Sequence, residues 1–132
     1  MPDKIDKHDF GCAACWMHDA LSTRNALSNL PIETYLVDES HFIVSIRRCK
    51  KCSQLFLSVF TEVVDFLDGD DPQYRIILPI TAQEARALRR GGENLSLAQL
   101  GTLAPNRRSL HYNHPKGEEE ITYWGTGVKF TR

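Results

Sequence analysis

Four cysteines occur in the chain and fall into two matched pairs, Cys12 and Cys15 in "GCAACW" and Cys49 and Cys52 in "RRCKKCSQLFL". A thiolate can act as nucleophile, redox group or soft metal ligand, so the spacing has to separate these uses. A two-residue gap lets both sulfurs of one turn face the same ion, and two such turns complete the tetrahedral shell that structural zinc prefers. No cysteine is left over. The pattern therefore predicts one structural Zn2+ held by Cys12, Cys15, Cys49 and Cys52. Two alternatives stand beside it. Small buried cysteines also pack as apolar groups, and a C-x-x-C at a helix start can be a redox pair. Cys12 and Cys15 precede a predicted helix, which suits the redox reading. Cys49 and Cys52 do not, and no β-α-β unit surrounds either motif.

The second pair is flanked by Arg47, Arg48, Lys50 and Lys51. Four thiolates around a divalent ion carry a net charge of about −2, and nearby cations lower the cost of keeping every sulfur ionised. The same four residues also suit a basic knuckle touching phosphates. His18 lies three residues after Cys15 but finds no vacancy in a four-cysteine site. His111 and His114 in "HYNHP" have the spacing of a metal pair without an identifiable third ligand, and a polar loop is the plainer reading. His8 and His41 carry no signal beyond polar surface.

Catalytic chemistry finds little to work with. Glu62, Asp65, Asp68, Asp70 and Asp71 form an acidic run. Paired carboxylates can serve as acid and base, but such runs usually face solvent around turns. A zinc closed by four sulfurs leaves no position for activated water. There is no nucleophile elbow, P-loop or dinucleotide fingerprint, so the expectation is that the chain is not an enzyme.

These residues must be positioned by a small number of elements. "WMHDALSTRNALSNL", residues 16 to 30, has apolar residues near helical spacing and is stopped by Pro31. "HFIVSIRRC" and "QLFLSVFTEVVDFL" read as strands joined at Cys49 to Cys52, a hairpin spanning 42 to 64 with the second knuckle at its tip. "DGDDP" is a turn, and "YRIILPI" a third strand. Thr81 and Glu84 form a capping-box pattern, Arg86, Arg89 and Arg90 suit the far end of that helix dipole, and Gly91 offers a cap. "LSLAQLGTL" suggests a further helical turn, "APNRRSLHYNHPKGEEE" reads mostly as loop, and "ITYWGTGVKF" as a last strand. The fold class expected is α+β, a small mainly antiparallel sheet built on the zinc-knuckle hairpin with two or three short helices.

At 132 residues the chain fits one zinc-stabilised domain, 1 to 132, and a chain of this size buries roughly 65 to 70% of its unfolded surface. Lys plus Arg is 16 and Asp plus Glu is 17, so the net charge of −1 gives no general attraction to nucleic acid or anionic membrane. The start "MPDKIDKHDF" lacks the apolar run of a secretory signal. A cytoplasmic location follows as an expectation, and in a reducing compartment disulfides are disfavoured.

Paired C-x-x-C knuckles, one on a hairpin, resemble the zinc-ribbon and treble-clef group of folds over residues 12 to 52. The resemblance implies a metal and its four ligands. The common Pro and Gly of such knuckles are absent, with Ala13 and Trp16 in the first and Lys50 and Ser53 in the second. The layout of a CxxC hairpin, an apolar strand and a small α+β body is also similar to small bacterial proteins that bind and neutralise effectors. That resemblance implies an inhibitor or immunity-type protein.

Function by elimination is protein–protein binding. The expected surface is the acidic turn together with Tyr112, Tyr123 and Trp124, because Tyr and Trp join large contact area to a polar handle. The same aromatics can equally complete the core. The other readings are a nucleic-acid-binding or transcription-associated zinc module and a CxxC redox protein.

Overall fold

The computed structural model describes residues 10–62, 72–91, 95–114 and 119–129. Among these the chain forms α1 (Ala20–Leu27), β1 (Ile32–Glu39), β2 (Phe42–Arg48), β3 (Leu55–Glu62), β4 (Gln73–Ile80), α2 (Ala82–Gly91), α3 (Leu97–Gly101), β5 (Arg108–His114) and β6 (Ile121–Thr126). The strands build one six-stranded sheet in sequence order, every neighbouring pair antiparallel. The α+β class is thus observed, with three helices among the described residues.

Period-two alternation sorts the strand residues onto two faces. Val44, Ile46, Leu57, Val59, Ile76 and Leu78 point to one face, where Ala85 and Leu88 of α2 and Leu100 of α3 join them. Phe56, Ile77 and Leu110 point to the other, where they meet Leu27 of α1 and the buried Cys15 and Cys49. The central strands are apolar on both faces because both are covered, which is why "QLFLSVF" and "YRIILPI" read as near-continuous apolar runs.

Local signals account for the helix ends. Asp19 caps α1 through Oδ2, which accepts the Ser22 N–H at 2.7 Å. The capping box of α2 forms as read: Thr81 N–H donates to Glu84 Oε1 at 2.8 Å, and Glu84 N–H to Thr81 Oγ1 at 3.1 Å. A second box, Ser96 with Gln99, opens α3. Gly91 is the last residue of α2 and does not take the left-handed cap conformation expected of it.

Three readings change. The first helix is shorter than 16 to 30, because residues 12 to 18 are used in the knuckle. β1 and β5 lie where the sequence suggested no strand. β1 is an edge strand whose register shifts twice and which buries only Leu36 and Val37, so its alternation is broken. The segment taken as loop, 104 to 120, contains β5, whose buried positions include Ser109 and His111. The acidic positions 65, 68, 70 and 71 fall outside the described residues. Among the described residues, no helix is long and apolar enough to cross a membrane.

Candidate metal centre

Cys12 and Cys15 sit in the loop before α1, and Cys49 and Cys52 in the turn joining β2 to β3. Each pair is folded by its own backbone. Cys12 C=O accepts the N–H groups of Cys15 at 3.0 Å and Trp16 at 2.9 Å, while Cys49 C=O accepts Ser53 N–H at 2.9 Å and Cys49 N–H donates to Gln54 C=O at 2.9 Å. The two tight turns need left-handed backbone at Gly11, φ 72°, and at Ser53, φ 68°. Gly11 has a second reason to be glycine: a Cβ there would lie 2.5 Å from Trp16 Cβ.

The knuckles meet across 37 residues of sequence. Sγ of Cys12 lies 3.8 Å from that of Cys15 and 3.9 Å from that of Cys49, and Sγ of Cys15 lies 3.8 Å from that of Cys52. All four sulfurs lie within 4.8 Å of one another. A tetrahedron with metal–sulfur bonds of about 2.3 Å has edges of about 3.8 Å, so these separations match a four-thiolate shell and are far beyond a disulfide bond of about 2.05 Å. The donor set and its spacing therefore fit a metal ion of tetrahedral preference. No other group of three or more metal-ligating side chains forms among the described residues.

Burial grades the site from inside to outside. Cys15 and Cys49 are buried, Cys12 is half-buried and Cys52 is exposed. Burial pushes the Cys15 and Cys52 thiols up. It pushes Cys49 the same way, but the amides of Cys52 and Lys51 outweigh it and bring that thiol down to about 7. Backbone N–H groups thus begin to stabilise the thiolates: Lys51 N–H donates to Cys49 Sγ at 3.4 Å and Cys12 N–H to Cys15 Sγ at 3.3 Å. A bound cation would complete that stabilisation.

The four basic residues divide between two tasks. Arg47 Nη1 donates to Leu27 C=O at 3.1 Å at the end of α1. Arg48 pairs with Glu33, Nη2 to Oε1 at 3.0 Å, and lies near Ser53 C=O. Lys50 and Lys51 stay exposed on the knuckle. Two of the four cations are thus engaged within the chain, and amide donors from the knuckles themselves face the sulfurs.

His18 is exposed, and its carbonyl accepts the Trp124 indole N–H at 2.8 Å. His111 and His114, three apart on β5, project from opposite faces of the strand and cannot share an ion. His111 is buried, stacked on Tyr123 at 5.1 Å, with Nε2 2.9 Å from Ser109 Oγ. Because Ser109 Oγ donates to Gly127 C=O at 2.7 Å, Nε2 must carry the proton. Trp124 packs edge-on to Trp16 at 5.0 Å and Tyr123 stacks on His111, so both pack against the core while remaining half-buried.

Gln54 is the site residue that the sequence did not mark. Its Oε1 accepts Gly11 N–H at 3.0 Å, and its Nε2 donates to Leu55 C=O and Ile80 C=O, each at 2.8 Å. Its only sequence signal is its place two residues after Cys52.

No protein-family model matches the chain, and neither a curated protein nor a solved structure shows significant similarity to it. The likeness to zinc ribbons rests on the four clustered cysteines.

Proposed function

We propose that the chain is a zinc-stabilised protein-binding module, of the inhibitor or immunity type that acts by occupying the surface of another protein. Zinc is the ion of choice for four thiolates at tetrahedral spacing, and that shell leaves no open position for substrate or water. The ion then serves the architecture, joining the N-terminal loop to the β2–β3 turn, and the module is not an enzyme.

The observation that carries the binding reading is the outer strand β1. Its Ile32 and Tyr35 are 39% and 53% exposed, on a strand with one hydrogen-bonded neighbour among the described residues. Large apolar and aromatic side chains beside an unpaired strand edge suit a protein partner. The nucleic-acid reading loses support, since two of its four basic residues are engaged within the chain. The redox reading loses support from the convergence of both pairs on one centre, with Cys15 fully buried.

Metal analysis and affinity capture test the proposal together. The purified protein is expected to carry one zinc per chain. It is expected to retain a protein partner that is lost with Ile32→Ser plus Tyr35→Ser and kept with Lys50→Gln plus Lys51→Gln. Retention of nucleic acid instead, weakening steeply with salt and requiring Lys50 and Lys51, overturns it.

A further inference from the structure

The sheet face that carries α1 is covered by that helix over β5 and β6, and it continues beyond the helix towards β1. Cross-strand register aligns Tyr35, Ser45 and Ser58 in one row of this face, and Phe60, Arg75 and Tyr112 in the next. Two guanidinium groups converge here. Arg75 Nη1 donates to Ser58 Oγ at 2.9 Å, and its Cζ lies 5.1 Å from the Phe60 ring centroid and 5.9 Å from that of Tyr112. Arg47 approaches from the end of α1, and its buried Nε has no hydrogen-bond partner.

The charges at this place are unbalanced. Burial, and then the repulsion of Arg75, hold the Arg47 guanidinium below its ordinary range. Among the described residues no carboxylate forms an ion pair with either arginine, although the same face carries acids. Those acids have other partners: Glu120 pairs with Arg24 at 2.6 Å, and Glu62 binds His41 and Gln73. A cavity of about 110 Å³ opens beside Arg75, between Phe60, Tyr112, His114 and Glu120, whose carboxylate is held by Arg24. Two half-buried like charges without a carboxylate partner among the described residues favour a negative charge placed beside them.

The geometry points to this recess, built on Arg75 and Arg47 over Ser58, as the seat of a carboxylate from an acidic segment of the protein partner. The inference rests on the protein-binding reading and locates it. Carboxylate is favoured over nucleic acid because the aromatic faces inside the recess are already occupied. Arg24 covers Tyr112 at 4.9 Å and Arg75 covers Phe60, so of the three rings in these two rows only Tyr35, at the outer edge, is exposed, one ring and not the row of rings that stacks successive bases. A guanidinium stacked on a ring keeps its in-plane N–H fork free at the edge, which matches a carboxylate. Exposed Tyr35 and Ile32 extend the same edge of the molecule and supply apolar contact.

The test titrates the zinc-loaded protein with a fluorescent octa-glutamate peptide and, separately, with oligo-dT. It uses wild type, Arg75→Gln and the double variant Lys50→Gln plus Lys51→Gln, with amide NMR shifts mapped on the wild type. Expected are shifts at Ser45, Ser58 and Arg75 on adding peptide, a loss of on the order of tenfold in peptide affinity with Arg75→Gln, and no change with the lysine variant. Should Arg75→Gln fail to fold, the wild-type shift map decides alone. Peptide shifts confined to the knuckle, with affinity unmoved by Arg75→Gln, overturn the recess and leave protein binding standing. Oligo-dT binding at the recess without peptide binding overturns both. Binding of neither probe overturns the recess.

Discussion

Gln54 accepts the Gly11 N–H through its side-chain oxygen at 3.0 Å, a bond that joins the two knuckles without any sulfur. The same amide group holds the carbonyls at the start of β3 and the end of β4. One side chain thus positions the first knuckle, the second knuckle and the sheet relative to each other.

Gln54→Ala removes three half-buried hydrogen bonds and leaves their backbone partners exposed to rearrangement. A loss of about 2 to 4 kcal/mol in unfolding free energy is expected, with metal still bound but roughly 10- to 100-fold more weakly. Denaturant unfolding and a competition titration with a zinc chelator check the two halves separately. Unchanged metal affinity would mean that Gln54 supports only the sheet.

Removing a ligand has a larger effect. Cys52 is the exposed member of the four, so Cys52→Ser changes the shell while disturbing little packing. Structural zinc contributes about 10 to 16 kcal/mol in finger peptides, against net domain stabilities of about 5 to 15 kcal/mol. The expected outcome is a large fall in Tm and loss of amide protection over residues 10 to 30, with the sheet after residue 54 persisting in weakened form. Chelation of wild type should reproduce it. A Tm within a degree or two of wild type would show that the cysteines do not hold the structure together.

His111 gives the molecule a pH dependence that does not involve the cysteines. Burial lowers its pKa from 6.5 to about 4. Between these values the unfolded chain binds a proton that the folded chain does not, so stability falls as pH drops from about 6.5 towards 4. The total is on the order of 3 kcal/mol, present in full above pH 6.5. A histidine NMR titration should find His111 neutral at pH 5.5, and stability of His111→Gln should vary less with pH across that window. A His111 midpoint near 6.5 would contradict the burial.

The pocket for that imidazole depends on Gly125. A Cβ at that position would come within 2.5 Å of His111 Nε2 and 2.8 Å of its Cδ2. Gly125→Ala should therefore destabilise by about 1 to 3 kcal/mol by overpacking, read as a lower denaturant midpoint at unchanged slope. Restoration of stability by combining it with His111→Ala would confirm that the ring is what the methyl group meets.

Much of the centre and its frame was legible from residue types alone. Cys12, Cys15, Cys49 and Cys52 were identifiable because ligand chemistry is local: a two-residue gap sets two sulfurs on one turn wherever that turn lies. The α2 capping box was identifiable for the same reason, since Thr81 and Glu84 satisfy each other's backbone within one turn. The strands β2, β3 and β4 declared themselves because burial on two faces demands apolar residues throughout. Tertiary structure alone decided the rest. β5 carries Ser109 and His111 inward, which is tolerable only because Gly127 and Tyr123 arrive from the far end of the chain to satisfy and cover them. β1 became a strand by pairing with β2 at the sheet's edge, against a weak pattern of its own. The arginines before Cys49 read as one basic cluster in sequence, but alternation along β2 sends Arg47 to the helix face and Arg48 to Glu33 on the other. Successive residues of a strand face opposite ways, so charges adjacent in the chain act in different places, and only the fold supplies what each one meets.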